Sequence, residues 1–141
     1  MWYILDELAK WDKAKDSKIA DNMSDLPPTI QRNLGNLSDG AISFTTSFSV
    51  RRIYQIIAIF IKFAVSTDES ITITYKSGIS PSYDTIIFAQ KCGGAKDFFF
   101  SEDLILDSGD QIQIEVTKTT GSDKVGITVQ AKQWLTIQDP S

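Results

Sequence analysis

Apolar and polar residues alternate with a period of two along most of the chain after residue 40. Between Ser70 and Lys76 an isoleucine or a tyrosine takes every second position, and between Val125 and Ala131 a valine, isoleucine or alanine does the same. A shorter run from Phe44 to Val50 has a similar pattern. Successive side chains of a β-strand point to opposite faces of the sheet, so these segments predict half-buried strands.

The segment from Arg52 to Val65 is apolar on both of its faces. Strict alternation divides it into one face with Ile53, Ile57, Ile59, Ile61, Phe63 and Val65 and another with Tyr54, Ile56, Ala58 and Phe60. A strand without a polar face predicts a position at the centre of a sandwich or against another protein.

A turn separates two further alternating segments, Leu104–Leu106 and Ile112–Val116. Within this turn, Gly109 can adopt the positive φ that other residues resist. The short carboxylates of Asp107 and Asp110 can accept hydrogen bonds from nearby backbone N–H groups. We therefore expect two half-buried strands joined by a tight turn.

The number and spacing of these segments predict the fold class. About eight short strands with turn residues every 8 to 12 positions are typical of a two-sheet sandwich. The sequence therefore predicts an all-β fold: an antiparallel β-sandwich of jelly-roll type over residues 41–141, preceded by an N-terminal helix and an extended arm over residues 1–40. Between residues 12 and 39 the apolar pattern dissolves around Pro27–Pro28, which predicts a linker that lies on another surface or another subunit.

The first 15 residues contain neither glycine nor proline, and their apolar residues fall within one arc of a helix. The residues that such a helix would bury are Trp2, Leu5, Leu8 and Trp11. One interpretation is a helix that docks on a neighbouring protein, and the other is a helix that packs back on its own sandwich. Both interpretations stay open at the level of sequence.

Charge and hydropathy restrict the partners. The net charge of −4 argues against nucleic acid, because phosphate binding needs clustered lysine and arginine. The longest apolar run, residues 53–65, is shorter than the roughly 20 residues that a membrane-spanning helix needs. We expect neither nucleic acid nor a membrane as a partner.

The chain has one cysteine, Cys92, which cannot form an internal disulfide. It is expected to be either a free thiol in a glycine-rich turn or a surface residue. Because the N-terminus also lacks the pattern of a signal peptide, we expect a protein that works without export through an oxidising compartment.

Catalytic chemistry has little support in the sequence. The chain has no histidine, which removes the commonest general base and a common metal ligand. The carboxylates that remain as candidates for paired acid and base catalysis are Asp84, Glu102, Asp103, Asp107, Asp110 and Glu115. Turn capping accounts for Asp107 and Asp110, and a loop or a solvent-facing strand position accounts for Glu102, Asp103 and Glu115. A hydrogen-bonded turn is favoured over a calcium site at Asp107 and Asp110. We expect no enzyme, no cofactor and no metal.

Aromatic residues are the remaining candidates for a functional site. Phe98, Phe99 and Phe100 are consecutive, so a strand must point at least one of them away from the sandwich core. An exposed phenylalanine predicts a subunit interface. A second interpretation is a glycan-binding platform with Tyr75, Tyr83 and Trp134 as its contacts.

Three motifs follow one another after Tyr83, and a turn at Gly126 then opens the last alternating segment, Ile127 to Ala131. They are Tyr-Asp-x-apolar-apolar at residues 83–87, the aromatic strand at 98–100, and Leu-x-Leu-x-x-Gly-Asp-x-Ile-x-Ile at 104–114. This succession resembles small auxiliary virion proteins of tailed bacteriophages. The resemblance implies a structural β-sandwich and no catalytic residue.

The function implied by that resemblance is a virion protein, assembled in the host cytoplasm, that decorates or cements the capsid. The N-terminal arm would bind the major capsid protein or another virion protein, and the sandwich would form a homo-oligomer, with a trimer favoured. The alternative is a tail or baseplate accessory, or a receptor-recognition domain that binds glycans.

Overall fold

The computed structural model describes residues 26–50, 52–101, 103–107 and 109–135. The predicted N-terminal helix, with Trp2, Leu5, Leu8 and Trp11, lies outside the described residues. Neither of the two short helical turns that the described part contains has the length or hydropathy of a membrane-spanning helix.

Nine β-strands and two 3-10 helical turns make up the described part of the chain. In chain order the strands are β1 (Thr29–Asn36), β2 (Ile42–Thr45), β3 (Arg52–Phe63), β4 (Ser70–Lys76), β5 (Thr85–Lys91), β6 (Asp97–Phe100), β7 (Leu104–Leu106), β8 (Gln111–Val116) and β9 (Lys124–Leu135). The 3-10 turns are Leu37–Asp39 and Pro81–Tyr83.

The strands form two antiparallel sheets. The first sheet has the order β1-β9-β3-β6, with β7 also paired to β3, and the second has the order β2-β8-β4-β5. The pair β1 and β9 in the first sheet continues into the second sheet as the pair β2 and β8. In the same way, β3 with its partners β6 and β7 in the first sheet continues into the second sheet as the pair β4 and β5. Two such folded ribbons are the topology of a jelly roll. The prediction of an all-β antiparallel sandwich of jelly-roll type is confirmed.

One hydrophobic core lies between the two sheets. Alternate residues of the central strands are wholly buried there, which matches the period of two in the sequence. The largest fully buried side chains are Phe63, Leu37, Ile56, Ile59, Ile71, Ile73, Leu106, Ile112, Ile114 and Ile127.

Strand β1 lies within the segment that was predicted to be a linker. It pairs with β9 from Thr29 opposite Ala131 to Asn36 opposite Lys124. The linker prediction is therefore wrong for residues 29–36. The inward positions of β1 are polar at this edge of the sandwich, and the side-chain amide of Gln31 exchanges hydrogen bonds of 2.8 and 3.1 Å with the backbone of Ser47. Because its inward residues are polar, β1 lacks the apolar alternation from which the other strands are predicted.

A β-bulge divides strand β3. The register passes from Ile56 opposite Ala131 to Ala58 opposite Gln130, so Ile57 is an extra residue in β3. The bulge places Ile56 and Ile59 on the same inward face, and both are fully buried. The predicted division of this strand into two strictly alternating faces is therefore wrong across Ile57.

The turn at Asp107–Asp110 connects the two sheets. Strand β7 pairs with β3 in the first sheet, and β8 pairs with β2 and β4 in the second. Gly109 adopts the expected positive φ, at 83°. The two predicted strands and their tight turn are confirmed, but the strands are not hydrogen-bonded to each other.

Candidate functional site

Two aromatic rings lie side by side on the outer face of the first sheet. Phe60 of β3 is opposite Phe99 of β6 in the antiparallel register, and their ring centroids are 4.9 Å apart. Phe60 is 39% exposed and Phe99 is 62% exposed. The two rings shield each other only in part, so they leave an apolar surface in contact with solvent.

Other apolar side chains extend this surface across the sheet. Tyr54 and Gln133 are buried and point inward, so their neighbours Ile53 and Trp134, which are paired in register, point outward. Ile105 of β7 is exposed on the same side. The outer edge strand β1 adds two more exposed residues. We call this surface the apolar face: Ile30, Leu34, Ile53, Phe60, Phe99, Ile105 and Trp134.

The other two phenylalanines of β6 point into the sandwich. Phe98 packs edge-on against Phe63, with ring centroids 6.0 Å apart, and Phe100 packs in the same way against Phe88 at 5.8 Å. They line a cleft of about 180 Å³ between the two sheets. The prediction that a strand must divide Phe98, Phe99 and Phe100 between its two faces is confirmed, whereas their role as an interface stays a prediction.

Charged side chains at the outward strand positions of the first sheet are mainly basic. They are Arg32, Lys62, Lys124, Lys132 and Asp97. Lys62 and Asp97 form a loose, exposed ion pair at 3.9 Å. Four basic side chains and one acidic side chain give this face a net charge of +3, in a protein whose net charge is −4. The apolar face therefore combines aromatic surface with positive charge.

The carboxylate of Asp110 anchors two turns. Its Oδ1 accepts a hydrogen bond from the backbone N–H of Gly78 at 2.8 Å, and its Oδ2 accepts one from the N–H of Asp107 at 3.0 Å. The hydroxyl of Tyr75 also donates to Oδ2. Burial, followed by the hydrogen bond and the negative charge of Asp110, raises the pKa of Tyr75 to about 12. Asp110 is therefore part of the hydrogen-bonded turn that the sequence predicts.

Asp84 fixes the same loop from the other side. Its Oδ1 accepts a hydrogen bond from the N–H of Ser77 at 2.8 Å, and its Oδ2 is 2.9 Å from the ammonium of Lys76. The hydrogen bond from Lys76, and then the one from Ser77, lower the pKa of Asp84. Asp84 and Asp110 therefore bind consecutive backbone N–H groups, those of Ser77 and Gly78.

Glu69 is a buried carboxylate that the sequence did not single out. It is 1% exposed and accepts hydrogen bonds from the N–H groups of Thr119, Thr120 and Gly121 and from the hydroxyls of Thr117 and Thr119. Burial acts to raise the pKa of Glu69, but these hydrogen bonds outweigh it and lower the pKa to about 2. In the sequence, the only indication of this site was the Thr- and Gly-rich stretch after β8, which supplies the hydrogen-bond donors to Glu69.

Cys92 lies next to this carboxylate and is buried, with 4% exposure. Burial, followed by the charges of Glu69 and Asp68, raises the pKa of its thiol to about 11. Cys92 is a free thiol, as one of the two predictions from the sequence states. The other prediction, a surface residue, is wrong. A buried thiol with a raised pKa is a poor nucleophile.

The three residues predicted as glycan contacts do not share one face. Tyr75 packs against the core from the second sheet, Tyr83 is exposed in the Pro81–Tyr83 turn, and Trp134 belongs to the outer face of the first sheet. Of the other candidate carboxylates, Asp103 and Glu115 are exposed, and Glu102 lies outside the described residues. No group of three or more His, Cys, Asp or Glu residues in the described part of the chain is placed to hold a metal ion.

The fold and this surface define a jelly-roll β-sandwich with an apolar outer sheet face. No family model matches the chain, and no curated protein matches its sequence. The NLP core from Drosophila has 11% identity and a TM-score of 0.43, with 74% of this chain and 97% of that chain covered.

Two further solved structures have a similar architecture. The globular domain of zebrafish complement 1qA has 11% identity and a TM-score of 0.40, with 67% of this chain and 70% of that chain covered. The virus-like particle of the extra small virus of the prawn Macrobrachium rosenbergii has 9% identity and a TM-score of 0.35, with 80% and 82% covered. These similarities concern the sandwich architecture and assign no function.

Proposed function

We propose that the protein is a structural virion protein of a tailed bacteriophage that decorates or cements the capsid. Its motifs between Tyr83 and Gly126 resemble those of auxiliary virion proteins, and the Asp residues of these motifs, Asp84 and Asp110, accept hydrogen bonds from backbone N–H groups of neighbouring turns. The site of action would be the assembled particle, with the major capsid protein or another virion protein as the partner. The sandwich would act as a homo-oligomer, with a trimer favoured.

The observation that supports this proposal is the exposed pair of Phe60 and Phe99. Fully burying one such side chain contributes about 1.5–3 kcal/mol, and aromatic residues are enriched at protein interfaces. A surface that contains two exposed rings and Ile105 is unfavourable in water and favourable in a protein contact. Repeated over a capsid lattice, such contacts would strengthen the particle.

The N-terminal arm is the second part of the proposal. Its apolar residues Trp2, Leu5, Leu8 and Trp11 would be buried across a seam between neighbouring subunits of the particle. At about 25 cal/mol per Å² of apolar area, this burial would contribute several kcal/mol before ordering costs are subtracted. The sandwich would then supply a rigid body and the arm an additional attachment.

The test is the copy number of this chain in purified particles, measured by quantitative mass spectrometry against the major capsid protein. Capsid decoration predicts many copies in a fixed ratio to the capsid protein. A few copies per particle would replace this proposal with a tail or baseplate role. Absence from the particles would overturn a virion role altogether.

A further inference from the structure

We propose that in the free protein the N-terminal segment of the same chain, residues 1–25, covers the apolar face. The apolar face exposes aromatic and aliphatic side chains on one side of the first sheet. The N-terminal segment contributes four large apolar residues, Trp2, Leu5, Leu8 and Trp11, that could pack against it. Contact between the two would remove both from water. This inference concerns the free protein and does not depend on a role in virions.

Charge distinguishes this occupant from a second copy of the same face. Two faces that each have a net charge of +3 would repel each other in a face-to-face dimer. Residues 1–25 contain six acidic and four basic side chains, a net charge of −2. The segment therefore combines apolar side chains with a net negative charge, and both are complementary to the aromatic, positively charged face.

The path of the chain also favours the same sheet. The side-chain amide of Gln133 donates a hydrogen bond of 2.5 Å to the carbonyl of Pro27, which fixes the chain beside β9 in the first sheet. Two residues later, Thr29 begins β1 at the edge of the first sheet. The segment therefore joins the sandwich beside the face that it would cover.

The lengths are compatible with an intramolecular contact. A 15-residue helix is about 22 Å long. The ten residues from Asp16 to Asp25 can span up to about 33 Å when extended. The longest strands of the sheet have 12 residues, or about 40 Å. The apolar residues of the segment can thus reach any part of the apolar face of their own sandwich.

The experiment measures how fast a cysteine on this face reacts with a maleimide in the full chain. Thr128→Cys places the probe on β9, between Arg32 and Phe60 in the register. Glu115→Cys is the matched control, on the outer face of β8 in the other sheet. Each probe is then combined with Leu5→Asp and Leu8→Asp, which remove apolar contacts of the segment. The native Cys92 is buried and supplies only a slow background.

We expect the Asp pair to accelerate labelling at Thr128→Cys by about tenfold or more, because it abolishes a protecting contact. Labelling at Glu115→Cys should stay unchanged. Equal rates at Thr128→Cys with and without the Asp pair would overturn the proposal. A labelling rate at Thr128→Cys that rises when the protein is diluted would also overturn the proposal, because the covering segment would then belong to a second copy of the chain. Neither result bears on the copy number in particles, so the two proposals fail separately.

Discussion

Phe60 and Phe99 face each other across the pairing of β3 with β6, at a centroid distance of 4.9 Å, and both rings remain exposed. Their neighbour Phe98 points the other way and packs on Phe63 in the core. Adjacent residues of one short strand therefore allow surface and core roles to be tested separately.

Replacing Phe99 by serine removes its ring contact with Phe60, which should change the free energy of unfolding of the sandwich by about 1 kcal/mol. It should, however, weaken attachment to particles. Phe98→Ala should cost at least about 2 kcal/mol, because it leaves a cavity in the core. Urea denaturation and co-sedimentation with particles measure the two effects. Full particle binding by the Phe99 variant would exclude that ring from the interface.

Replacing Glu69 by glutamine should destabilise the protein by about 2–3 kcal/mol, because an amide cannot replace the carboxylate that accepts hydrogen bonds from the Thr119–Gly121 backbone. Glu115→Gln is the control, since Glu115 is exposed on β8, which pairs with the strand that begins directly after Glu69. Urea denaturation at neutral pH compares the two variants. If both behave like the wild type, the hydrogen bonds of Glu69 contribute nothing net to stability.

The same carboxylate predicts a pH dependence. Its pKa falls from an ordinary 4.5 to about 2 on folding, so its stabilising effect is complete above pH 4.5 and disappears as the pH falls towards 2. A difference of this size corresponds to about 3 kcal/mol. The Glu69→Gln variant should lose less stability than the wild type between pH 5 and pH 2.5. Parallel stability curves over this range would contradict the low pKa.

Tyr75 should titrate about two pH units above an ordinary tyrosine, at a pKa of about 12. Burial accounts for the largest part of the shift, and Asp110 adds a hydrogen bond and a negative charge. In Asp110→Asn the negative charge disappears, so the pKa of Tyr75 should fall towards its ordinary value of 10.0. Ultraviolet absorbance of tyrosinate follows the titration, and Tyr75→Phe identifies the transition. An unchanged high-pH transition in the Asn variant would exclude Asp110 as a cause.

Gly109 and Gly126 form a matched pair of substitution sites. Gly109 has a φ of 83°, and a Cβ there would lie 3.4 Å from the Cα of Gly78. Gly109→Ala should therefore cost at least about 1 kcal/mol. A Cβ at Gly126 meets no atom within 4 Å, so Gly126→Ala should be neutral or stabilising. Thermal unfolding of both variants measures the difference, and equal midpoints would contradict it.

Deleting residues 1–15 should abolish attachment to particles and leave the sandwich folded, because the strands and the core that the structure describes are formed by residues from Thr29 onward. Circular dichroism measures folding, and quantitative mass spectrometry of purified particles measures occupancy. Unchanged occupancy would contradict the arm. Loss of the folded sandwich would show that residues 1–15 support the fold.

The sequence by itself determined the sandwich and most of its strands. Alternation such as that of Ile71, Ile73 and Tyr75 is visible without a structure, because the period of two is a local property of extended backbone. The divided orientation of Phe98, Phe99 and Phe100 followed from the same rule. The positive φ of Gly109 was also predictable, since only glycine adopts it without strain.

The tertiary structure alone decided what is not local. The bulge at Ile57 reverses the alternation of β3, and strand pairing rather than composition sets its position. Strand β1 was invisible because its inward Gln31 is satisfied by a partner distant in sequence, Ser47. The burial of Glu69 depends likewise on a loop about fifty residues away. Sequence periodicity indicates which face of a strand is buried, whereas only the folded structure shows which residues pack against that face.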